Sequence, residues 1–356
     1  MKLISITVTS STKEAIIADA LKSVRDWVDL MLIVHIEHGS DDTMQVAHDI
    51  CKSKLRVVSV PLDMPFPDMR NAGLIEAERL SADWSVQLDT DERILRNDID
   101  VRSTLAKVPN DIIAVTVHED TGAYDKVRFI RHPTECRFSQ SFHEELVPDP
   151  KKCTLSHIRF HELPKSPEQI AQRVEQQITA CRNQAKQEPE NPRWQYYLAS
   201  ALEKSKQYQE AILIYLRAAQ LFKESEPKAW VFFRIACCWA LQEKNAEAIN
   251  AALQAMLYGP DYAEAPWLIA QINFMSGMYR EAIAWAKVAA VHNWSRKRPG
   301  EIHRIGFKEP RALYEGPYQV MAQCYFKMGD PVQFKQAQQE AAKAARARID
   351  FFQRGL

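Results

Sequence analysis

Tyr208-Gln209-Glu210-Ala211-Ile212 returns as Asn245-Ala246-Glu247-Ala248-Ile249 and again as Tyr279-Arg280-Glu281-Ala282-Ile283, at intervals of 37 and 34 residues. A fixed period of this length restricts a chain more than any composition does, because each copy must be one small structural unit stacked on the next. Twelve positions before each shared alanine stands another alanine, Ala199, Ala236 and Ala270, small enough for close helix packing. From Ser166 onward strand-like runs disappear, and Pro164 and Pro167 mark the change. Ser166 followed by Glu168 and Gln169 predicts a helix start, because a capping serine and a residue three positions on can satisfy each other's backbone donors. Pro260 closes the second unit. Three such units bury one continuous core that none could bury alone.

A period of about 34 residues of helix–turn–helix resembles the tetratricopeptide repeat. The expectation is an all-α repeat domain over 164–356, with a fourth, degraded unit at Ala322 and Met328-Gly329-Asp330. Ala322 follows Ala270 by 52 residues, so about 18 residues are inserted. The insert, 295–311, contains Ser295-Arg296-Lys297-Arg298-Pro299-Gly300 and continues through Arg304, Lys308 and Arg311. It reads either as a solvated loop or as a cover for a polyanion. Trp194, Tyr197, Trp230, Trp239, Trp267 and Trp285 are expected to pack the core. Phe351 and Phe352 suit docking or a dimer contact. A concave repeat surface suggests acceptor recognition, a homodimer, or both.

The first half alternates instead. Leu3–Thr9, Leu30–Ile36, Arg56–Val60 and Trp84–Leu88 read as buried strands, separated by helical patterns over Ala15–Val24, around Val46, Ala47 and Ile50, and over Arg70–Leu80. Ser40 or Asp41 is placed to cap the second helix. Such alternation predicts a mainly parallel sheet with flanking helices. Ile112–His118 and Lys126–Arg131 add a hairpin-like pair with Gly122 in its turn. With no G-x-G-x-x-G and no G-x-x-x-x-G-K-[ST], a phosphate group would need a metal or basic side chains. The fourth strand runs into Asp89-Thr90-Asp91-Glu92. Alternation of side chains sets Asp89 and Asp91 on one side of the chain, at the end of a sheet where ligands bind.

The pieces Val24-Arg25-Asp26-Trp27-Val28-Asp29, Glu37-His38-Gly39-Ser40-Asp41-Asp42-Thr43, Met69-Arg70-Asn71-Ala72 and Asp83 to Glu92 follow in the order found in family 2 glycosyltransferases. Residues 3–95 resemble that family, which implies a GT-A fold over 1–163 and a nucleotide-sugar donor such as a UDP-sugar. By the resemblance, Glu37 contacts the nucleoside, with Asp42, Arg70 and Asp89 near the donor. The family's usual residue at Glu37 is Asp, and Thr9-Ser10-Ser11-Thr12-Lys13-Glu14 departs from its first-loop pattern. Mn²⁺ or Mg²⁺ held by Asp91, with Asp89 directly or through water, would clamp the leaving diphosphate. Glu92 would turn away or orient a neighbour.

Phe142-His143-Glu144-Glu145-Leu146 is similar to the subgroup containing lipopolysaccharide-core transferases and tetratricopeptide-bearing S-glycosyltransferases of peptides. An inverting transferase needs a general base, and Glu144 is the candidate with His143 as its neighbour; Glu145 and Asp149 compete. His161, rather than His157, fits the subgroup's histidine before the helical half and would complete a metal site or touch the diphosphate.

Lys+Arg and Asp+Glu balance at 46 each, which gives no global field for nucleic acid or a membrane surface. No apolar run approaches the ~18 residues of a membrane span, and the start at Met1 has no signal-peptide pattern. Seven scattered cysteines without a C-x-x-C pair argue against a disulfide framework or structural zinc. A cytoplasmic location is expected. The leading expectation is a metal-dependent inverting glycosyltransferase acting on a peptide, protein or glycan acceptor. A tetratricopeptide adaptor with a degenerate transferase domain is the first alternative. A transferase acting on nucleic acid through the basic insert is the second.

Overall fold

The computed structural model describes residues 1–37, 41–95, 100–119, 122–139, 145–147, 153–292 and 310–354. These divide into two compact units, Met1–Lys165 and Ser166–Leu356.

The first unit is built on eight strands. In chain order they are β1 (Leu3–Ser10), β2 (Leu30–Ile36), β3 (Leu55–Val60), β4 (Trp84–Gln87), β5 (Glu92–Leu95), β6 (Ile112–Glu119), β7 (Gly122–Arg131) and, after a separate two-stranded pair β8 (Arg137–Ser139) and β9 (Glu145–Val147), β10 (Cys153–Glu162). Their order across the sheet is β3-β2-β1-β4-β7-β6-β10-β5. β1, β2, β3, β4, β6 and β10 run one way; β7 and β5 run against their neighbours. Gly122 begins β7 rather than sitting in the turn, opposite Glu119 of β6.

Alternation along each strand decides which helices cover which face. Leu3, Met31 and Ile33 pack with Ile17, Leu21 and Val24 of α1 (Glu14–Arg25), Ala47 of α2 (Thr43–Cys51) and Leu105 of α4 (Val101–Lys107). Ile4, Ile6, Leu32 and Val34 face the other way, onto Met69, Leu74 and Ala77 of α3 (Phe66–Arg79). This helix starts four residues before the predicted Arg70, with Pro67 near its start, where a missing N–H costs nothing. Gly73 is required by its closeness to the sheet: a Cβ there would stand 2.5 Å from Ile6 Cγ2. The connections explain the strand order. The α1 and α2 crossovers move the chain outward from β1 to β3, and α3 then returns it across the opposite face to β4. The direction of winding therefore reverses between β1 and β4.

The second unit is helical throughout its described residues. α5 (Pro167–Gln187) opens on the expected capping box, with Ser166 Oγ accepting from Gln169 N–H and the Gln169 side chain accepting from Ser166 N–H. Four antiparallel pairs follow: α6 (Pro192–Lys204) with α7 (Tyr208–Leu221), α8 (Ser225–Ala240) with α9 (Asn245–Tyr258), α10 (Glu264–Met275) with α11 (Tyr279–Val291), and α13 (Gly316–Lys327) with α14 (Pro331–Arg354). The short α12 (Pro310–Leu313) precedes the last pair. The fourth unit has a shared signature. Lys206, Glu243, Gly277 and Gly329 all have positive φ, and each lies seven residues after Ala199, Ala236, Ala270 or Ala322. Those four alanines are buried, as are Ala211, Ala248 and Ala282 of the repeated element. Trp194 and Trp230 are in the core, and Tyr197, Trp239, Trp267 and Trp285 pack against it half-buried. The insert before Pro310 and the side chains of Phe351 and Phe352 lie outside the described residues; Arg311 is an exposed residue of α12.

Candidate functional site

The winding reverses between β1 and β4, and open α/β sheets take their ligands at the carboxyl ends of the strands beside such a reversal. The segment after β4 carries Asp89 and Asp91 into this position. The segment after β1 lies alongside: Ser11 Oγ is 2.9 Å from His35 Nε2 of β2, Lys13 N–H donates to Thr43 Oγ1 at 3.0 Å, and Glu14 N–H donates to Asp41 Oδ2 at 3.4 Å. Asp41 also accepts from Thr43 N–H at 3.0 Å, so it, and not Asp42, ties the start of α2. Desolvation would raise its pKa, but the hydrogen bonds to its carboxylate from Thr43 and Glu14 together prevail and lower it. Glu37 is exposed just beyond β2, and Asp42 makes no capping bond.

Asp89 is the centre of a buried ionic cluster that the sequence did not announce. Its Oδ1 accepts from Arg70 Nη2 at 2.7 Å; its Oδ2 accepts from Arg128 Nη2 at 2.7 Å and Lys126 Nζ at 2.9 Å. Burial would raise its pKa, but the charges of Arg128, Arg70 and Lys126 prevail and hold it well below the usual carboxylate range. Arg70 is buried, with its guanidinium over the rings of Phe66 and Phe138 at 4.9 and 5.4 Å. Its role is therefore internal, in place of the surface ion pair that a lone arginine on a helix suggests. Asn71 fixes the strand beside it, donating to Phe138 O at 2.8 Å and accepting from Phe138 N–H at 2.7 Å.

Glu92, whose side chain is 1% exposed, is ion-paired to Arg128 and lies 3.6 Å from Lys126 Nζ. It also accepts from Asp89 N–H at 3.3 Å, so it orients the residue that precedes it in the motif. Burial opposes the charge on Arg128, while Asp89 and Glu92 raise its pKa. Among the described residues, three cations thus meet two carboxylates. Asp91 is outside this inner group: its Oδ2 is 3.3 Å from Lys165 Nζ, and Lys165 is also paired with Glu162. Leu163 N–H donates to Asp91 O at 2.8 Å, which anchors the motif to the end of β10.

His161 stands opposite Arg93 in the β10–β5 register, one position from the Glu162–Glu92 pair. Alternation puts it on the other face from Glu92. Arg93 donates to Ile16 O of α1. His143 and Glu144, together with the competitor Asp149, lie outside the described residues, as does the side chain of Glu145.

Asp89 is held by cations rather than left open to a divalent metal. Both oxygens of Asp89 already carry cationic donors, and Asp91 shares an oxygen with Lys165. At an effective dielectric of about 20, a divalent ion some 4 Å from one guanidinium is repelled by roughly 8 kcal/mol. Asp89 would bring it near two guanidiniums and an ammonium. Among the described residues no three His, Cys, Asp or Glu side chains are grouped for a metal.

Lys126, Arg128 and Lys165 were missed as site residues. Lys126 and Arg128 did leave a signal, since two cations spaced by two in a strand share a face.

The tetratricopeptide repeat family model matches residues 179–226 and 242–301. The helical half carries tetratricopeptide repeats. Among solved structures, a crystal structure of MamA is 16% identical, covers 53% of this chain and 99% of its own, and has a TM-score of 0.40. MamA from Desulfovibrio magneticus RS-1 is 15% identical over 51% of this chain and 93% of its own, with a TM-score of 0.38. YrrB, described as a tetratricopeptide protein with an unusual peptide-binding site, is 12% identical over 49% and 78%, with a TM-score of 0.35. No curated protein matches the chain. No described helix is long and apolar enough to cross a membrane.

Proposed function

We propose that the chain is a glycosyltransferase whose first unit binds a nucleotide-sugar donor and whose tetratricopeptide repeats bind the protein that carries the acceptor. The observation that carries the reading is the position of Asp89-Thr90-Asp91-Glu92, at the carboxyl end of β4 beside the point where the winding of the sheet reverses. In this reading Asp89, fixed by Arg70, Lys126 and Arg128, is the rigid wall of the donor site. Asp91, its partly exposed carboxylate paired with Lys165, faces the donor. Glu37 and Asp42 border the nucleoside side. Glu144 takes the proton from the acceptor nucleophile, with His143 orienting it. The resemblance in residues 3–95 supports the donor; the matched repeats support a protein acceptor.

The test is release of nucleoside diphosphate from a panel of UDP-, GDP- and dTDP-sugars by the full chain, with and without Mn²⁺. Turnover that falls at least ~100-fold in Asp91→Asn and in Glu144→Gln agrees with the reading. Absence of both turnover and nucleotide binding overturns it.

One observation favours a second reading, a repeat adaptor whose first unit has lost its activity. The family match falls on the repeats alone, and repeats of this kind mediate protein interaction. The comparisons back this part of the proposal more directly than they back the chemistry. A partner bound with unchanged affinity by Asp89→Asn and Asp91→Asn chains, with no nucleotide bound by either parent or variant, would decide for the adaptor.

A further inference from the structure

We propose that the exposed ring of Phe66 is the platform on which the base of a nucleotide donor stacks. This deepens the transferase reading and rests on it. Three features converge.

Place is the first. α3 returns the chain from β3 to β4, so its first turn lies at the carboxyl ends of the strands, and Phe66 is its first residue. Arg70, one turn further on, donates to Asp89 Oδ1 at 2.7 Å. Its guanidinium lies over the Phe66 ring, 4.9 Å from the centroid, so Arg70 joins the ring to the acidic motif. Exposure is the second. Phe66 is 36% exposed, and among the side chains described in the first unit the other exposed large apolar residues, Met1, Val57, Leu62, Ile75 and Leu95, have no ring. Rigidity is the third. Pro65 and Pro67 flank Phe66, each with its φ fixed by its own ring, and Pro65 O accepts from Asp68 N–H at 2.9 Å and from Met69 N–H at 3.1 Å. A ring held in advance loses little freedom when a ligand covers it.

Of the parts of a nucleotide sugar, the base suits such a ring best. A diphosphate asks for donors and countercharge, which a phenyl group lacks. A base presents a flat π-face that stacks on an aromatic side chain whatever its hydrogen-bonding edge. Phe66 therefore supplies affinity for uridine and guanosine nucleotides alike. The C–H face of a sugar can also lie on a ring, and UDP, which lacks the donor sugar, separates the two.

Isothermal titration of the full chain with UDP and with GDP in Mn²⁺ buffer, and proton NMR of UDP exchanging with the chain, test this. Phe66→Leu should weaken both nucleotides about tenfold, and Phe66→Tyr, which keeps the ring, should stay within about threefold of the parent. The uracil H5 and H6 signals should move upfield on binding to the parent, as a ring current requires, and less than half as far with Phe66→Leu. Thermal melts establish that both variants are folded. Undiminished UDP affinity in folded Phe66→Leu overturns the inference and leaves the transferase reading in place. So does weakened binding with the full upfield shift, which would make Phe66 a prop for Arg70. Base protons that do not move upfield in the parent complex overturn it without any variant. A parent chain that binds neither nucleotide removes the transferase reading as well.

Discussion

Replacing Arg128 by Met tests whether the cluster is held as its geometry implies. Arg128 and Glu92 are 2% and 1% exposed, so the substitution leaves a carboxylate with almost no access to water. Breaking a buried pair from one side costs about 3–5 kcal/mol. Lys126 Nζ remains 3.6 Å from Glu92, and Asp89 keeps Arg70 and Lys126, so the lower end, about 3 kcal/mol, is expected. At roughly 2–4 °C per kcal/mol for a unit of this size, the transition should fall by about 6–12 °C. Calorimetry of the full chain measures this, and hydrogen exchange of the β1 and β4 amides assigns the transition to the first unit. Glu92→Gln added to Arg128→Met should return at least half of the loss, because a neutral amide needs no countercharge. A fall of less than about 2 °C, or a double variant no more stable than Arg128→Met, refutes the account.

His132 supplies a pH dependence. Burial lowers its pKa below 6.5, a smaller effect of Glu78 opposes this, and Arg137 adds to the lowering. The unfolded chain then takes up the proton first, so stability present above about pH 6.5 is lost as pH falls toward the folded value. Urea midpoints at pH 7 and pH 5 should converge in His132→Gln, and an unchanged difference counts against the assignment. Gly73→Ala should destabilise the first unit by about 1–3 kcal/mol, because its methyl group meets Ile6 and Val34 between α3 and the sheet; a denaturation midpoint equal to the parent's would refute the close packing.

What could be read beforehand follows from how local each signal is. The strands β1 to β4, β6 and β7 are runs of apolar and β-branched residues, and the repeats declare themselves through Ala199, Ala236 and Ala270. The capping box at Ser166 is written within four residues. The strands β5, β8 and β9 have three or four residues each and take their partners from elsewhere in the chain, so no run marks them. The acidic motif was visible, but its state was not. Asp89 looks like a free carboxylate until β7 brings Lys126 and Arg128 against it, 37 and 39 residues downstream. Likewise nothing local to Arg70 shows that Phe66 and Phe138 enclose it. The positive φ at Lys206 and Glu243 is hidden by residue type, while Gly277 and Gly329 show the same turn openly.

The pairing of β5 with β10 has a consequence for the time course of synthesis. Glu92 is register-matched to Glu162 and Leu95 to Arg159, so the polypeptide must grow by 64 to 70 residues before this edge of the sheet is complete. At 5–20 residues per second a ribosome needs roughly 3–14 s for that stretch. Throughout this interval Glu92-Arg93-Ile94-Leu95 is a nascent strand awaiting its neighbour. Arg128 is synthesised about halfway through, early enough to neutralise Glu92 before β10 arrives. The alternating charges of Glu92 and Arg93 also make the waiting edge a poor template for pairing with another nascent chain.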